Sequence, residues 1–144
     1  MTVNVAPIGL ARDLQERARS GKPIRIGLIG CGEMGTDIVT RVAHMEGIEV
    51  GAIAERDPER AIRAARIAYG EDGHASEAGA ATALDAAMEA GRIAVTGDAG
   101  LVIGSGLVDV VVDATGVPAV GAEIGLHAME NGKHLVMMNV EADV

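Results

Sequence analysis

Apolar runs and amphipathic segments alternate along the whole chain. The runs Ile24–Ile29 and Ile48–Ala54 are almost continuously hydrophobic, and similar runs cover 92–96, 108–115 and 133–140. Runs of this length with little polar alternation indicate strands that are covered on both faces. We therefore predict at least five parallel strands with helices on both sides of the sheet, which is the doubly wound α/β class.

The segments between these runs have helical periodicity. Leu10, Leu14 and Ala18 lie four residues apart, on one face of a helix predicted over 5–19. Five further helices are predicted: one after the first strand, one from the cap residue Asp57 to about Ala68, one over 76–90, one after the cap residue Asp98 and one over 119–131. Residues 70–75 are predicted as a loop.

Composition restricts how the core can be filled. The chain has 144 residues, enough for one domain, and 49% of them are apolar. It contains one Tyr and no Phe or Trp, so the core must consist of Ala, Val, Ile, Leu and Met. Side chains of this size suit the close packing of helices on a sheet.

Charge and cysteine usage narrow the range of partners. The formal net charge is −9, which repels nucleic acid and anionic membranes, so we predict that the protein binds neither. No stretch approaches the ~18 apolar residues of a membrane span. A single Cys31 excludes an internal disulfide and fits a reducing compartment. Because no secretory signal is evident, we expect a cytoplasmic protein.

Three glycines follow the first strand with the spacing G-x-G-x-x-G. In the stretch IRIGLIGCGEMGTDIV they are Gly30, Gly32 and Gly35. Such glycines permit a tight turn, the approach of backbone amides to a pyrophosphate and close helix–strand packing, and the helix N-terminus adds a partial positive charge. This order predicts a Rossmann-type dinucleotide-binding domain over 24–144, preceded by a helical arm over 1–23. The alternative is a tight turn without a ligand.

The end of the second strand carries the residues that bear on the choice of cofactor. Glu55 lies 20 residues after Gly35, where a carboxylate binds the adenosine ribose hydroxyls and favours NAD. The adjacent Arg56 could stack on adenine, pair with the 2′-phosphate of NADP or remain a solvated loop residue. The sequence therefore leaves NAD and NADP open. We interpret Cys31 as a small residue that the loop tolerates.

The segment DATGVP ends the fourth predicted strand, at the sheet edge where ligands of open parallel sheets bind. Thr115 and Gly116 offer a hydroxyl and an exposed backbone for the nicotinamide half of the cofactor. Val117 and Pro118 form a stiff bend with an apolar surface for a ring. We therefore predict that this segment binds the cofactor.

The segment NVEADV follows the fifth predicted strand. Asn139, Glu141 and Asp143 alternate along it, so their side chains would point the same way. Two such carboxylates could bind a divalent cation or hold a polyol, but they could equally form a solvated acidic edge. Lys133 and His134 start the same strand, so we place them at the opposite edge without a catalytic role.

The chain resembles the N-terminal domain of homoserine-dehydrogenase-like oxidoreductases that carry a SAF domain further on. The resemblance rests on the glycine stretch quoted above, on DVVVDATGVPAVGAEIGLHAMENGKH and on LVMMNVEADV, and the run MMNVEADV is its most specific part. This group includes the second type of 1-deoxy-D-xylulose-5-phosphate reductoisomerase and sugar-acid oxidoisomerases.

The resemblance implies NAD(P)-dependent oxidoreduction of a small polyhydroxy or phosphorylated substrate, with a divalent cation such as Mg or Mn in the reductoisomerase case. Glu141 and Asp143 stand where better-known reductoisomerases have an acidic metal-binding motif, so they are the predicted catalytic and metal-binding residues. The predicted cofactor-binding residues are Gly30, Cys31, Gly32, Glu33, Met34, Gly35, Glu55, Arg56, Thr115, Gly116, Val117, Pro118 and Asn139.

Members of this group continue beyond the acidic segment, whereas this sequence stops at Val144. We therefore expect it to be the cofactor-binding portion of a longer enzyme, without turnover of its own, and we expect the full-length protein to form a homo-oligomer. Two alternatives stay open: a domain of a homoserine or related amino-acid dehydrogenase, and a non-catalytic module that senses NAD(P). A sensor would have no need of carboxylates at the nicotinamide end.

Overall fold

The computed structural model describes residues 6–72 and 74–139. They form a six-stranded sheet in the order β3-β4-β2-β1-β5-β6, in which every neighbouring pair of strands is parallel. The fold prediction is confirmed. The strands are β1 (Ile24–Ile29), β2 (Ile48–Ala54), β3 (Ala75–Glu77), β4 (Ile93–Thr96), β5 (Val110–Asp113) and β6 (His134–Met137), and the helices are α1 (Leu10–Arg19), α2 (Glu33–Val42), α3 (Pro58–Tyr69), α4 (Ala81–Glu89), α5 (Ala99–Gly104) and α6 (Pro118–Glu130).

Two hydrophobic clusters sandwich the sheet, as a doubly wound fold requires. One cluster packs α2 and α3 against one face, and the other packs α4, α5 and α6 against the opposite face. Small residues set the distance between the helices and the sheet on both faces of the sheet. On α3 the contact consists of Ala61, Ala64 and Ala65, all fully buried. On β1, a Cβ at Gly27 would lie 2.5 Å from a methyl carbon of Val102, so α5 sits directly on this strand.

The segment 70–90 corrects two sequence-based predictions. Residues 75–77 form the edge strand β3, whereas they were predicted as the end of a loop and the start of a helix. Ser76 pairs with Ala94 of β4, so hydrogen bonding to the sheet edge outweighs the helical propensity of this Ala-rich stretch. The following helix therefore begins at Ala81 and not at residue 76.

Other boundaries move by smaller amounts. α1 begins at Leu10, and Pro7 and Gly9 precede it in non-helical backbone. β5 ends at Asp113, two residues earlier than predicted, and β6 spans four residues. The predicted helix caps are confirmed, because the side chains of Asp57 and Asp98 accept hydrogen bonds from the amides of Glu59 and Gly100.

The predicted apolar face of the N-terminal arm is mostly solvent-exposed. α1 contains no buried residue, and Leu10 is 70% exposed. The helix approaches the domain at Gly47, where an added Cβ would collide with the carbonyl oxygen of Leu14. Within the described residues, no helix combines the length and apolar character needed to cross a membrane.

The amino edge of the sheet, where the strands begin, is held by charged side chains. Lys133 Nζ donates hydrogen bonds to the carbonyl oxygens of Ser105 and Val108, at 2.6 and 2.8 Å. Arg25 Nε donates to Glu49 Oε1 at 2.8 Å. These side chains serve the fold, which agrees with the prediction that Lys133 lies away from the ligand edge.

Candidate functional site

The glycine loop joins β1 to α2 at the carboxyl edge of the sheet. Gly30 has φ 90°, and a Cβ there would lie 2.8 Å from the carbonyl oxygen of Ala114. A Cβ at Gly35 would collide with the carbonyl oxygen of Gly30, so the helix packs directly against the end of the strand. Two of the three glycines are therefore required by the packing of the protein itself.

Gly32 differs from the other two glycines. It has φ −75°, and a Cβ there would meet no atom within 4 Å. It is also the N-cap of α2, and within residues 6–72 and 74–139 no side chain caps this helix. The first-turn amides of α2 are therefore available to an anion, and the helix dipole adds to the attraction. The open space in front of Gly32 fits the predicted approach of a pyrophosphate.

Glu55 lies beside the glycine loop and contacts it directly. Its Oε2 accepts a hydrogen bond from the backbone amide of Cys31 at 2.7 Å, and its Oε1 accepts one from the amide of Asp57 at 3.2 Å. The carboxylate thus ties the end of β2 to the loop that follows β1. The sequence pattern predicts only a ribose contact for Glu55. Its bond to the glycine loop is an additional role.

The loop after β5 faces the glycine loop. Asp113 ends the strand with its side chain fully buried, and its Oδ1 accepts hydrogen bonds from the amide and the hydroxyl of Thr115, at 3.0 and 2.7 Å. Gly116 has φ 66°, and Val117 occupies the N-cap position of α6, whose first residue is Pro118. Thr115 lines the cleft that lies between the two loops.

A cleft of about 430 Å³ lies between these loops and extends toward the end of β4. Apolar residues of β1, β2 and α5 form its floor, and the two loops and the start of α3 form its walls. Its lining residues are Ile29, Gly30, Gly32, Ala54, Glu55, Arg56, Arg60, Gly97, Ala99, Ala114, Thr115, Val117 and Val120. A cleft at the carboxyl ends of the strands, where the strand order reverses, is the expected ligand position in such sheets.

A second hollow opens on the other side of the glycine loop. It is lined by Cys31, Gly32, Glu33 and Thr36 together with Arg60 and Arg63 of α3. Arg60 and Gly32 line both spaces, so an arginine of α3 lies next to the cleft as well as the hollow. Arg60 is 3.8 Å from Asp57 Oδ2, and both side chains are exposed, which makes this a weak ion pair.

Cys31 has no exposed reactive thiol. The residue is 2% exposed, and burial raises the pKa of its thiol. The negative charge of Glu55 raises this pKa further, while a hydrogen bond to Thr36 and the charge of Arg60 oppose the shift. The thiol is therefore held protonated, which agrees with its interpretation as a small residue that the loop tolerates.

The structure brings many of the predicted site residues together and leaves others apart. Gly30, Gly32, Glu55, Arg56, Thr115 and Val117 line the cleft, whereas Met34 is exposed on α2 outside its lining. Asn139 is 2% exposed, and among the described residues neither polar atom of its amide has a hydrogen-bond partner. Glu141 and Asp143 lie outside the described residues.

Sequence analysis missed several residues of this cleft. Arg60, Gly97, Ala99 and Val120 line it but carry no motif of their own. Asp113 was visible at the strand end in DATGVP, and a carboxyl group in an otherwise apolar strand was the signal that could have found it. Across residues 6–72 and 74–139 there is no grouping of three or more His, Cys, Asp or Glu that could hold a metal ion.

Comparison with known proteins assigns the family. A sequence profile described as homoserine dehydrogenase, NAD binding domain, matches residues 30–144. The chain belongs to this family. The homoserine dehydrogenase of Methylobacillus glycogenes is 32% identical to this NAD-binding domain over 118 residues, which cover 82% of the chain and 25% of that protein. The domain thus spans about a quarter of the length of that curated relative.

Solved structures share the fold of the domain. Myo-inositol dehydrogenase from Lactobacillus casei, in complex with NAD(H) and myo-inositol, matches with a TM-score of 0.58 and 22% identity over 80% of this chain and 28% of that chain. A variant 3-ketoreductase from Actinomadura kijaniata, in complex with TDP-benzene and NADP, matches with a TM-score of 0.53 and 28% identity over 81% and 30%. The chain is an NAD-binding domain of the kind found in oxidoreductases.

Proposed function

We propose that this domain binds NAD(P)(H) in the cleft between the glycine loop and the loop after β5, as the cofactor-binding portion of an oxidoreductase. The observation that carries the proposal is the open space at Gly32 in front of an uncapped helix N-terminus. A bound dinucleotide would supply the hydride chemistry at its nicotinamide ring. The residues of this chain would bind and orient it.

The cleft suggests a division of roles among its residues. The first-turn amides of α2 would hold the pyrophosphate, because they have no side-chain cap. Glu55 and Arg56, at the end of β2, would lie at the adenosine ribose. Thr115 and Val117 would lie at the nicotinamide half, where Val117 offers an apolar surface to the ring.

We propose a small polyhydroxy or sugar-phosphate compound as the substrate of the complete enzyme. The support is the sequence resemblance described above, together with structural relatives that include an enzyme solved with myo-inositol and a 3-ketoreductase solved with TDP-benzene. Glu141 and Asp143 are the proposed residues on the substrate side, with Mg or Mn as a further proposal for the two carboxylates, and Asn139 is proposed to bind the cofactor.

A homoserine-type dehydrogenase has equal support. The matching family profile and the 32% identical protein from Methylobacillus glycogenes are both described as homoserine dehydrogenases. A substrate panel decides between the two enzymes: the complete enzyme is assayed with NAD and NADP against homoserine, polyols and sugar phosphates. Turnover of homoserine alone contradicts the polyhydroxy proposal, and turnover of none of them favours the sensing module.

Cofactor binding itself is tested by calorimetric titration of this chain with NADH and NADPH. We expect saturable binding of at least one of them and no dehydrogenase turnover, because catalysis needs groups on more than one side of the substrate and we propose that a further region of the longer enzyme supplies some of them. Absence of binding to a folded chain would contradict the proposal. Turnover by the 144-residue chain would contradict the proposed need for a second, substrate-binding region.

Self-association is proposed for the protein as well. Val136 on β6 and Met138, the residue that follows the strand, are 44% and 40% exposed. Sedimentation velocity of the wild-type chain and of a Val136→Lys variant tests this proposal. We expect a concentration-dependent rise in mass for the wild type that the charge reduces. A monomer at all concentrations contradicts it.

A further inference from the structure

Asp113 does more in this structure than end a strand. Its carboxyl group is fully buried at the carboxyl edge of the sheet, where β5 pairs with β1 through Ile29 and with β6 through Met137. Its Oδ1 accepts both hydrogen bonds described above, and Oδ2 has no partner among the residues that the structure describes. Burying a carboxyl group with one unpartnered oxygen is costly, so packing alone does not account for this residue.

The two hydrogen bonds determine how Thr115 faces the cleft. Its hydroxyl hydrogen is directed at Asp113 Oδ1 at 2.7 Å, so the hydroxyl oxygen can only accept further hydrogen bonds. One donor within the chain, the amide of Val117, lies at 3.4 Å, which is a long contact. The oxygen therefore keeps accepting capacity, and Thr115 lines the space between the loops.

The backbone of this loop is fixed on its other side by the glycine loop. A Cβ at Gly30 would lie 2.8 Å from the carbonyl oxygen of Ala114 and 3.0 Å from Thr115 Cα. The amide of Ala114 also donates to the carbonyl oxygen of Ile29 at 2.8 Å. Because the backbone is held at this point, the hydrogen bond to Asp113 selects the side-chain rotamer of Thr115. The same bond engages the hydroxyl hydrogen, so the hydroxyl oxygen acts as an acceptor.

We infer that Asp113 is a positioning residue for cofactor binding, which holds the Thr115 hydroxyl as a hydrogen-bond acceptor for a donor group on the nicotinamide half of the dinucleotide. This inference rests on the proposed function. Two donors on that half have the required chemistry: the carboxamide NH₂ of the nicotinamide and the hydroxyls of its ribose. Neither pyrophosphate nor adenosine contacts depend on Asp113.

The test measures the affinities of the chain for NADH, ADP-ribose and ADP by calorimetry, in the wild type and in Asp113→Ala, which removes the accepting oxygen, in Thr115→Val and in the double variant. ADP-ribose lacks the nicotinamide, and ADP lacks the second ribose as well. We expect each single substitution to weaken NADH binding about tenfold, which corresponds to roughly 1.4 kcal/mol, and to leave ADP binding unchanged. An effect on NADH alone identifies the carboxamide as the donor, and an equal effect on ADP-ribose identifies the ribose.

The double variant separates positioning from general loosening of the fold. If Asp113 acts through Thr115, then Asp113→Ala has no further effect on NADH binding once Thr115 is Val. Independent effects that add in the double variant overturn the inference, and so does a similar loss of affinity for all three ligands. Unchanged NADH affinity in Asp113→Ala overturns it too, while the proposed function stands.

Two further outcomes have a defined meaning. If the wild-type chain is folded but binds no NADH, both the proposed function and this inference fail. If Asp113→Ala does not fold, Thr115→Ser and Thr115→Val replace it, because Ser retains the hydroxyl that Asp113 holds. NADH affinity that is kept by Ser and reduced about tenfold by Val supports the inference, and equal affinities for the two variants overturn it.

Discussion

The two edges of the sheet use polar groups in opposite ways. At the amino edge, Lys133 donates hydrogen bonds to two carbonyl oxygens and Arg25 pairs with Glu49, so these charged groups have partners within the protein. At the carboxyl edge, the amides that begin α2 have no side-chain cap, and polar atoms of Asp113 and Asn139 lack partners among the described residues. Charge density alone would not tell the edges apart, whereas unsatisfied hydrogen-bonding capacity does.

Gly32→Val gives the largest effect expected at the carboxyl edge. The branched side chain meets no protein atom there, but it occupies the space in front of the α2 amides. We expect NADH affinity to fall by about 100-fold or more while the melting temperature changes little. Calorimetry and thermal unfolding measure both quantities.

Gly106→Val is the matched control at the amino edge, because it is an exposed turn glycine with no atom within 4 Å of its Cβ position and without a positive φ. We expect it to leave NADH affinity unchanged. An equal loss of affinity in both glycine variants would mean that the two edges do not differ in ligand binding.

Gly35→Ala should reduce stability where Gly32→Val does not. Its added methyl group collides with the carbonyl oxygen of Gly30, so α2 must move away from β1. We expect a loss of about 1–3 kcal/mol in the free energy of unfolding, the usual cost of overpacking. Urea unfolding of the two variants checks the contrast, and a Gly35→Ala protein as stable as the wild type would show that this junction tolerates a side chain.

Lys133→Met tests the amino edge. The substitution keeps the apolar stem but removes two charge-assisted hydrogen bonds to the carbonyl oxygens of Ser105 and Val108. We expect the free energy of unfolding to fall by about 1–3 kcal/mol and NADH affinity to stay the same. A variant with normal stability but reduced NADH affinity would place a functional lysine at this edge, contrary to our interpretation.

Glu55→Gln addresses cofactor choice at the carboxyl edge. Gln keeps an oxygen for the amide of Cys31 but removes the negative charge that would oppose a 2′-phosphate. We expect the ratio of NADPH to NADH affinity to rise about tenfold. Glu55→Ala, which also removes the bond to the loop, should weaken both cofactors. A ratio that does not change in Glu55→Gln would show that the carboxylate is not at the ribose.

The smallest expected effect concerns pH. Burial raises the pKa of the Cys31 thiol, so the folded chain holds this proton more tightly than the unfolded chain. Stability from this source is complete below the ordinary cysteine pKa and is lost as the pH rises through the raised value. Denaturation at increasing alkaline pH should therefore show a steeper decline for the wild type than for Cys31→Ala. Equal slopes contradict the assignment.

The sequence predicted most of the fold because the strands are apolar on both faces and the caps Asp57 and Asp98 have side chains that act locally. It failed at β3, where Ser76 takes its conformation from Ala94, a partner 18 residues further along the chain. Local propensity contains no information about such a pairing.

The site was predicted in outline from the glycine spacing and the acid at the end of β2. What the sequence could not supply was the partner of each group. Glu55 binds the amide of Cys31, and Asp113 holds Thr115, although neither bond follows from spacing. Likewise, only the packing shows that Gly30 and Gly35 are needed by the protein and Gly32 is not.

The single buried cysteine also allows the opening rate of the glycine loop to be measured. Cys31 sits between the glycines, its amide bonded to Glu55 and its thiol shielded from solvent. A thiol reagent can reach it only when this part of the chain opens, so the labelling rate at excess reagent reports the frequency of that opening. A ligand that holds the loop closed would slow labelling in proportion to its occupancy, without any probe being added to the protein.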